Sequence, residues 1–179
     1  HFDTCGLSAR WGQPINPLGD SSFLVDGSHL VITVPEGTTH NVWTDGNNAP
    51  RVMQNADNVD FEYIVKFDSA LTQNAQMQGV IIEENGQRFV RFDFEYNEGV
   101  KAYAATFEDG TVRKRIAVPI APAEATYMRI TRVGNTWTMF YSANGTDCLT
   151  AGKPIKDFVL DVKKAGLFAG NVAIKSNPA

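Results

Sequence analysis

The sequence predicts an all-β protein, and three observations support this prediction. Apolar and polar residues alternate with a period of two in several segments, which is typical of half-buried antiparallel strands. Turn signals rich in glycine and asparagine separate these segments about every 8–12 residues, as in sandwiches and barrels. No segment has a convincing helical pattern longer than a turn or two, and a parallel sheet would need long crossovers. We therefore predict a two-sheet antiparallel β-sandwich, a jelly roll.

The alternation is clearest in four segments, which are 59–67, 88–96, 127–133 and 136–141. Within 88–96 one face carries apolar side chains, and the other carries Arg91, Asp93 and Glu95. Further strands are predicted at 29–34, 51–54, 77–84, 100–107, 111–118, 157–162 and 165–170. Pro119 and Pro122 interrupt the chain between two strands and predict a crossover loop. The best helical candidate, 67–75, is also compatible with a loop.

Composition places the chain among ordinary globular proteins. Its 179 residues are 43% hydrophobic and 20% charged, and we find no repeat or linker. We therefore expect one domain that spans residues 1–179 and a monomeric protein. The net charge of −4 argues against a nucleic-acid partner and against docking on an anionic membrane. No apolar run approaches the roughly 20 residues that a membrane-spanning helix needs.

The two cysteines, Cys5 and Cys148, lie near opposite ends of the chain. A disulfide between them would close a very long loop, worth more than ~4 kcal/mol in the entropy model. Two unrelated buried thiols are the alternative. The spacing fits neither a metal knuckle nor a redox CxxC pair. We predict the disulfide and, with it, a secreted protein.

The segment from 40 to 54 concentrates side chains of the kind that bind sugars, namely His40, Trp43, Asn47, Asn48, Arg51 and Gln54. An aromatic ring can stack on a pyranose, and amide or guanidinium groups can bind vicinal hydroxyls. Polar strand residues would extend the site along an open, shallow groove, and these are Gln78, Arg91 and Asp93. The alternatives are a core tryptophan with a structured loop, and a solvated strand face with weak ion pairs.

Four runs carry a family resemblance: HNVWTDGNNAPRVMQ, DFEYIVKFDSALTQNAQMQGVIIEENGQRFVRFDFEY, GNTWTMFYSANGTD and GLFAGN. They resemble the regulation-of-enolase-like family of the concanavalin A-like lectin/glucanase superfamily, over nearly the whole chain. The resemblance implies a concanavalin A-like jelly roll and association with carbohydrate, often beside glycoside hydrolases in secreted microbial proteins. Similar sequences are expected to have Trp where this chain has Cys148, which favours a disulfide particular to this protein.

Catalysis remains open, although we favour binding of a poly- or oligosaccharide. Retaining glucanases of the superfamily carry an ExDxE strand, and Arg91 occupies the first position of the nearest match, so the nucleophile is missing. A polysaccharide lyase needs a cation or amide and a His or Tyr base. The chain supplies these residue types in Arg51, Gln54, Gln78, Arg91, His40 and Tyr103. A structural or adhesive domain without a small ligand is the third alternative.

No motif demands a cofactor, and we assign no metal ligands. A structural Ca²⁺ ion is an open alternative, with carboxylates from the loops that contain Asp3, Asp20 and Asp26, or Asp57 and Asp60. If His1 is a mature N-terminus, its amine and imidazole could bind copper together with His29 or His40.

Overall fold

The computed structural model describes residues 7–173, which consist almost entirely of strands. In chain order the strands are β1 (Ser22–Asp26), β2 (His29–Thr33), β3 (Val42–Trp43), β4 (Gly46–Asn47), β5 (Arg51–Asn55), β6 (Phe61–Lys66), β7 (Met77–Asn85), β8 (Arg88–Tyr96), β9 (Val100–Glu108), β10 (Thr111–Pro119), β11 (Tyr127–Val133), β12 (Thr136–Ser142), β13 (Leu149–Thr150) and β14 (Lys164–Gly170). A six-stranded sheet has the order β10-β9-β8-β7-β14-β5, and a four-stranded sheet has the order β13-β12-β11-β6. The β1–β2 and β3–β4 hairpins stand apart. The predicted antiparallel sandwich is confirmed.

Most predicted strands are found, and the differences concern short or unpaired segments. The helical candidate 67–75 is a loop, and β1, β3, β4 and β13 were not predicted. Pro119 and Pro122 lie where the chain crosses from β10 in one sheet to β11 in the other, as predicted. A short 3-10 helix, Pro122–Glu124, makes this turn.

The main core lies between the two sheets. The side chains of Phe92, Phe94, Ile130 and Trp137 are all 0% exposed there. The Phe92 and Trp137 ring centroids lie 6.3 Å apart across the interface. Each such side chain contributes ~1.5–3 kcal/mol through burial, so these aromatics are major contributors to the packing of sheet on sheet.

The outer face of the six-stranded sheet is buried as well. Phe89 and Phe107 stack on this face with ring centroids 4.2 Å apart. Val42 and Ala49 pack against them from residues 40–50, a stretch that includes the β3–β4 hairpin and is here called the covering segment. The expectation of an open polar groove on this sheet is therefore wrong, because the covering segment gives these aromatic residues an apolar partner.

Residues 157–162 form no strand, although their alternation is real. Phe158, Leu160 and Val162 are buried, whereas Val159 is 57% exposed. Side chains take the place of a partner strand: Trp137 Nε1 donates to the Phe158 carbonyl at 3.2 Å, and Arg132 Nη2 donates to the Leu160 carbonyl at 3.1 Å. The period-2 pattern thus indicates only that one face of this segment is buried. Side chains, and not a partner strand, bind its backbone carbonyls.

The predicted disulfide stays a prediction. Cys5 lies outside residues 7–173, and Cys148 is a half-buried free thiol within them. His1 and Asp3 lie outside the described residues too. Within residues 7–173, no helix is long and apolar enough to cross a membrane.

Gly79 provides a test of how tightly the central strands are packed. A Cβ atom at Gly79 would lie 2.2 Å from the Phe92 carbonyl oxygen and 2.6 Å from Asp93 Cβ. Because backbone atoms on a paired strand cannot give way, Gly79→Ala should destabilise the fold by about 3 kcal/mol or more. Urea denaturation will measure this loss.

Gly86→Ala is the matched control, since an added Cβ there meets nothing within 4 Å. Equal stability of the two variants would contradict the described pairing of β7 with β8.

Candidate functional site

The predicted ligand-binding residues do not converge on one groove. Trp43, Asn47, Asn48, Arg51, Arg91 and Asp93 lie on or over the outer face of the six-stranded sheet. Gln54 and Gln78 belong to the inner face, because Gln54 opposes Ala165 and Gln78 opposes Phe94, both in the main core. Strand alternation thus separates the set on two sides of one sheet.

Arg91 and Asp93 form a charged pair beneath the covering segment. They are 2% and 0% exposed. Arg91 Nη1 donates to the Val42 carbonyl oxygen at 2.6 Å, and Arg91 Nε lies 3.0 Å from Asp93 Oδ1. That contact is poorly aligned, so neither Asp93 oxygen has a hydrogen-bond partner among residues 7–173. Neither side chain is accessible to a ligand while the covering segment is in place.

Burial dominates the ionisation of this pair and its neighbours. Desolvation raises the pKa of Asp93 to about 7, although the charge of Arg91 opposes the shift. Desolvation also raises the pKa of Glu95 and raises the pKa of Tyr103 to about 12. The Arg91 guanidinium lies 4.9 Å from the Tyr103 ring centroid. Burial in this cluster therefore favours the protonated form of the Asp93 carboxyl.

Arg51 and the asparagines hold the backbone of the covering segment. Arg51 Nη1 donates to the carbonyl oxygens of Asn47 at 3.3 Å and Ala49 at 3.1 Å. Burial lowers the pKa of Arg51. The main-chain N–H of Asn48 donates to the Asn41 carbonyl at 2.9 Å. These contacts match the structured-loop alternative that the sequence left open.

Trp43 is an accessible aromatic residue of the covering segment. Its side chain is 36% exposed. Phe107 packs edge-on against the indole at 6.3 Å between centroids, and the Arg91 guanidinium lies 5.9 Å from the indole. Trp43 is thus neither a core residue nor a freely moving one.

His40 is a buried structural contact and not a ligand-facing group. Its Nε2 lies 2.7 Å from Asp20 Oδ1, and its Nδ1 lies 3.1 Å from both the Thr38 carbonyl and Asn171 Oδ1. Burial alone would lower the pKa of His40, but the hydrogen bonds to Asp20, Asn171 and Thr38 together raise it. The 0% exposure of His40 corrects its predicted role, because the imidazole instead joins the covering segment to the residue after β14.

A groove of about 920 Å³ opens between the two sheets where β5 and β6 form their edges. Residues of the β1–β2 hairpin form one wall, and β6 with residues 67–69 forms the other. The inner face of the six-stranded sheet contributes Gln54, Gln78 and Leu167. Small-ligand sites commonly have ~300–1,000 Å³, so this groove is large enough for a ligand of several rings.

Aromatic and amide groups meet along this groove. Trp11 and Tyr63 line it together with Gln54 and Gln78. Gln78 Nε2 donates to the Ser69 carbonyl at 2.9 Å, which fixes the orientation of that amide. The Gln54 amide makes no hydrogen bond to another residue in the described range. Burial raises the pKa of Tyr63 well above its ordinary value, so the hydroxyl stays protonated and can donate.

Sequence reasoning assigned Tyr63 to a strand face only and missed both Trp11 and the β1–β2 hairpin. A signal for the hairpin was present in Asp26-Gly27-Ser28-His29, since Asp26 pairs with His29 across a two-residue turn. Gly27 has φ 61°, the left-handed conformation that the primed hairpin turns require at this position.

The residue types of a polysaccharide lyase are present but dispersed. Arg91 and Tyr103 are buried on the outer face, and His40 is bound to Asp20. Gln54 and Gln78 lie on the opposite face, at the groove. Within residues 7–173, no group of three or more His, Cys, Asp or Glu side chains is placed to hold a metal ion.

Solved structures share this fold. The GH43 protein BlXynB from Bacillus licheniformis matches with a TM-score of 0.76 and 17% identity, over 98% of this chain and 36% of that one. The carbohydrate binding module CBM66 from Bacillus subtilis matches with a TM-score of 0.55 and 12% identity, over 92% of both chains. The CBM2 module of the evolved Dit from Lactobacillus casei BL23 phage J-1 matches with a TM-score of 0.55 and 10% identity, over 78% of this chain and 67% of that one.

This chain therefore spans about a third of the length of the GH43 protein. No family model and no curated protein sequence matches the chain, so the regulation-of-enolase-like resemblance stays a prediction. The β-sandwich fold is what these neighbours establish.

The buried carboxyl of Asp93 predicts a specific pH dependence of stability. Its folded pKa of about 7 exceeds the ordinary 3.8, so the folded protein keeps a proton that the unfolded chain loses. The proton on Asp93 contributes its full stabilisation below the lower pKa, and this stabilisation is lost as the pH rises through the higher pKa. Between about pH 4.5 and pH 8, the unfolding free energy of the wild type should fall by roughly 1–4 kcal/mol more than that of Asp93→Asn.

Urea denaturation across this pH range measures the effect. Asp157→Asn is the control, because a hydrogen bond from Arg115 lowers the pKa of that exposed carboxyl, so it titrates below this pH range and the variant should follow the wild-type profile. Identical pH profiles for Asp93→Asn and the wild type would contradict the assignment.

Proposed function

We propose that this chain is a carbohydrate-binding module that holds a poly- or oligosaccharide in the groove between its two sheets. One observation carries the proposal: the groove of about 920 Å³ brings the aromatic residues Trp11 and Tyr63 together with the amides of Gln54 and Gln78. A sugar ring offers an apolar face for stacking and hydroxyl groups for amides, so this lining complements a glycan.

The fold neighbours support the same class of ligand. Two of them are named as carbohydrate-binding modules, and another is a GH43 protein. Because this chain spans only 36% of the GH43 protein, we propose that it works as an accessory unit beside a catalytic domain, outside the cell. We favour binding over a lyase activity, since the residue types for a lyase lie on two faces of the sheet.

The exposed Trp43 is a second candidate location for the same function. Its indole is 36% exposed and is held by Phe107 and Arg91, so it offers a fixed stacking surface. The groove is favoured because it encloses a ligand on three sides, whereas Trp43 projects from a hairpin with Thr44 and Asp45 exposed beside it.

Gln54→Ala tests the groove. Removal of its amide should weaken glycan binding about five-fold to ten-fold, since a hydrogen bond to a ligand is worth ~1 kcal/mol or somewhat more. Affinity electrophoresis and calorimetry against neutral oligomers of xylose, glucose, mannose, galactose and fructose, and against uronate oligomers, measure this change.

Gln87→Ala is the matched control, because Gln87 is an exposed glutamine in the β7–β8 turn, away from the groove. Trp43→Ala distinguishes the two locations. If Trp43→Ala loses glycan binding and Gln54→Ala keeps it, the site lies at the covering segment. A panel that stays blank for the folded wild type would favour a structural or adhesive domain.

A further inference from the structure

The basic side chains in the described lining of the groove, Lys66 and His29, are both paired. Lys66 Nζ lies 2.5 Å from Asp68 Oδ1, and His29 Nε2 lies 3.3 Å from Asp68 Oδ2. The hydrogen bond to Asp68 raises the pKa of Lys66 and lowers that of Asp68, so both stay charged at neutral pH. A single carboxylate, that of Asp68, therefore pairs with both of the basic groups in the described lining.

Among residues 7–173, the side chains that line the groove include more carboxylates than cations. Asp26, Glu62 and Asp68 line it against one lysine and one histidine. Glu62 Oε2 lies 3.5 Å from Arg129 Nη1, whose guanidinium is held over the Phe140 ring at 4.2 Å. Asp26 has no ion-pair partner among residues 7–173. The described lining thus keeps one unpaired carboxylate, that of Asp26, and its ion pairs are exposed to solvent, where salt screens them over about 10 Å.

The arginines that would suit an acidic sugar lie elsewhere. A guanidinium is the natural bidentate partner of a uronate carboxylate. Arg51 donates to Asn47 and Ala49 on the outer face of the six-stranded sheet, and Arg91 is buried beneath the covering segment. A uronate that entered the groove would therefore meet surplus negative charge and no unpaired cation in the described lining.

From this arrangement we infer that the groove selects uncharged glycans and rejects polyuronates. The inference rests on the proposed function and names the substrate class of that same site. Selection acts through Asp68, which engages Lys66 and His29, and through the unpaired carboxylate of Asp26, which repels an anionic chain. The amides and aromatic rings of the groove supply the attraction for a neutral sugar.

Three pairs of hexasaccharides test the selection, each with a neutral hexose chain and its uronate counterpart: glucose and glucuronate, mannose and mannuronate, galactose and galacturonate. Across the pairs that bind, the neutral member should bind at least about five-fold more tightly at low salt. The gap should narrow when NaCl is raised from about 20 mM to 500 mM, because only the repulsion is screened.

Asp68→Asn tests the origin of the selection. Loss of this carboxylate releases Lys66 and His29 into the groove, so the ratio of uronate to neutral affinity should rise several-fold. Asp161→Asn is the matched control: Asp161 Oδ2 pairs with Lys163 Nζ at 2.7 Å, both are exposed, and neither lines the groove. It changes the net charge equally and also frees a lysine.

The outcomes separate the two proposals. Uronate chains that bind the wild type as tightly as neutral ones, with Gln54→Ala weakening both, overturn the selectivity and leave the carbohydrate site standing. An equal response of Asp68→Asn and Asp161→Asn also overturns it, since the groove charges then have no special effect. If the folded protein binds none of the neutral or acidic oligosaccharides, the proposed function and the selectivity are both overturned.

Discussion

The fold depends on burial of β8 on both of its faces. Phe92 and Phe94 face the main core, while Phe89 and Arg91 on alternate positions face the covering segment. The apolar part of this second face is stabilised by stacking of Phe89 on Phe107. The charged part is costly to desolvate, and Arg91 offsets that cost by binding the Val42 carbonyl of the covering segment. The six-stranded sheet is thus a middle layer.

This burial explains which parts of the molecule were predictable from sequence. Alternation in β6, β8, β11 and β12 depends on one apolar face, which the sequence displays directly, and these strands were predicted well. The fate of the other face depends on which remote segment packs over it. Nothing local to Arg91 and Asp93 distinguishes a solvated row from a buried one, so their cover by residues 40–50 could not be derived. Residues 157–162 pose the same difficulty, since a buried face does not reveal whether a partner strand exists.

Because both faces of the six-stranded sheet are packed against other segments, the accessible groove lies at the edge of the sandwich. Its inner face packs on the four-stranded sheet, and the covering segment packs on its outer face, where it buries the row of Arg91 and Asp93. At the edge, β5 and β6 diverge and the β1–β2 hairpin only partly fills the gap. Gln54 and Gln78 were chosen from sequence as ligand-binding residues for a different surface. Gln54 lines the groove because an amide on the inner face of the edge strand β5 is spared full burial, whereas Gln78 on β7 reaches the groove with only 9% exposure.

The groove and the covered face are linked through the register of β5. Met53 faces the second core with Val42, and the next residue, Gln54, faces the groove. A slip of one residue would exchange these side chains, placing an unpaired amide in an apolar core and a methionine in the groove. Burial of an unsatisfied amide costs about 1–3 kcal/mol, which holds the strand in its observed register. The covering segment, which does not line the groove, therefore helps to specify the polar lining from the opposite side of the sheet.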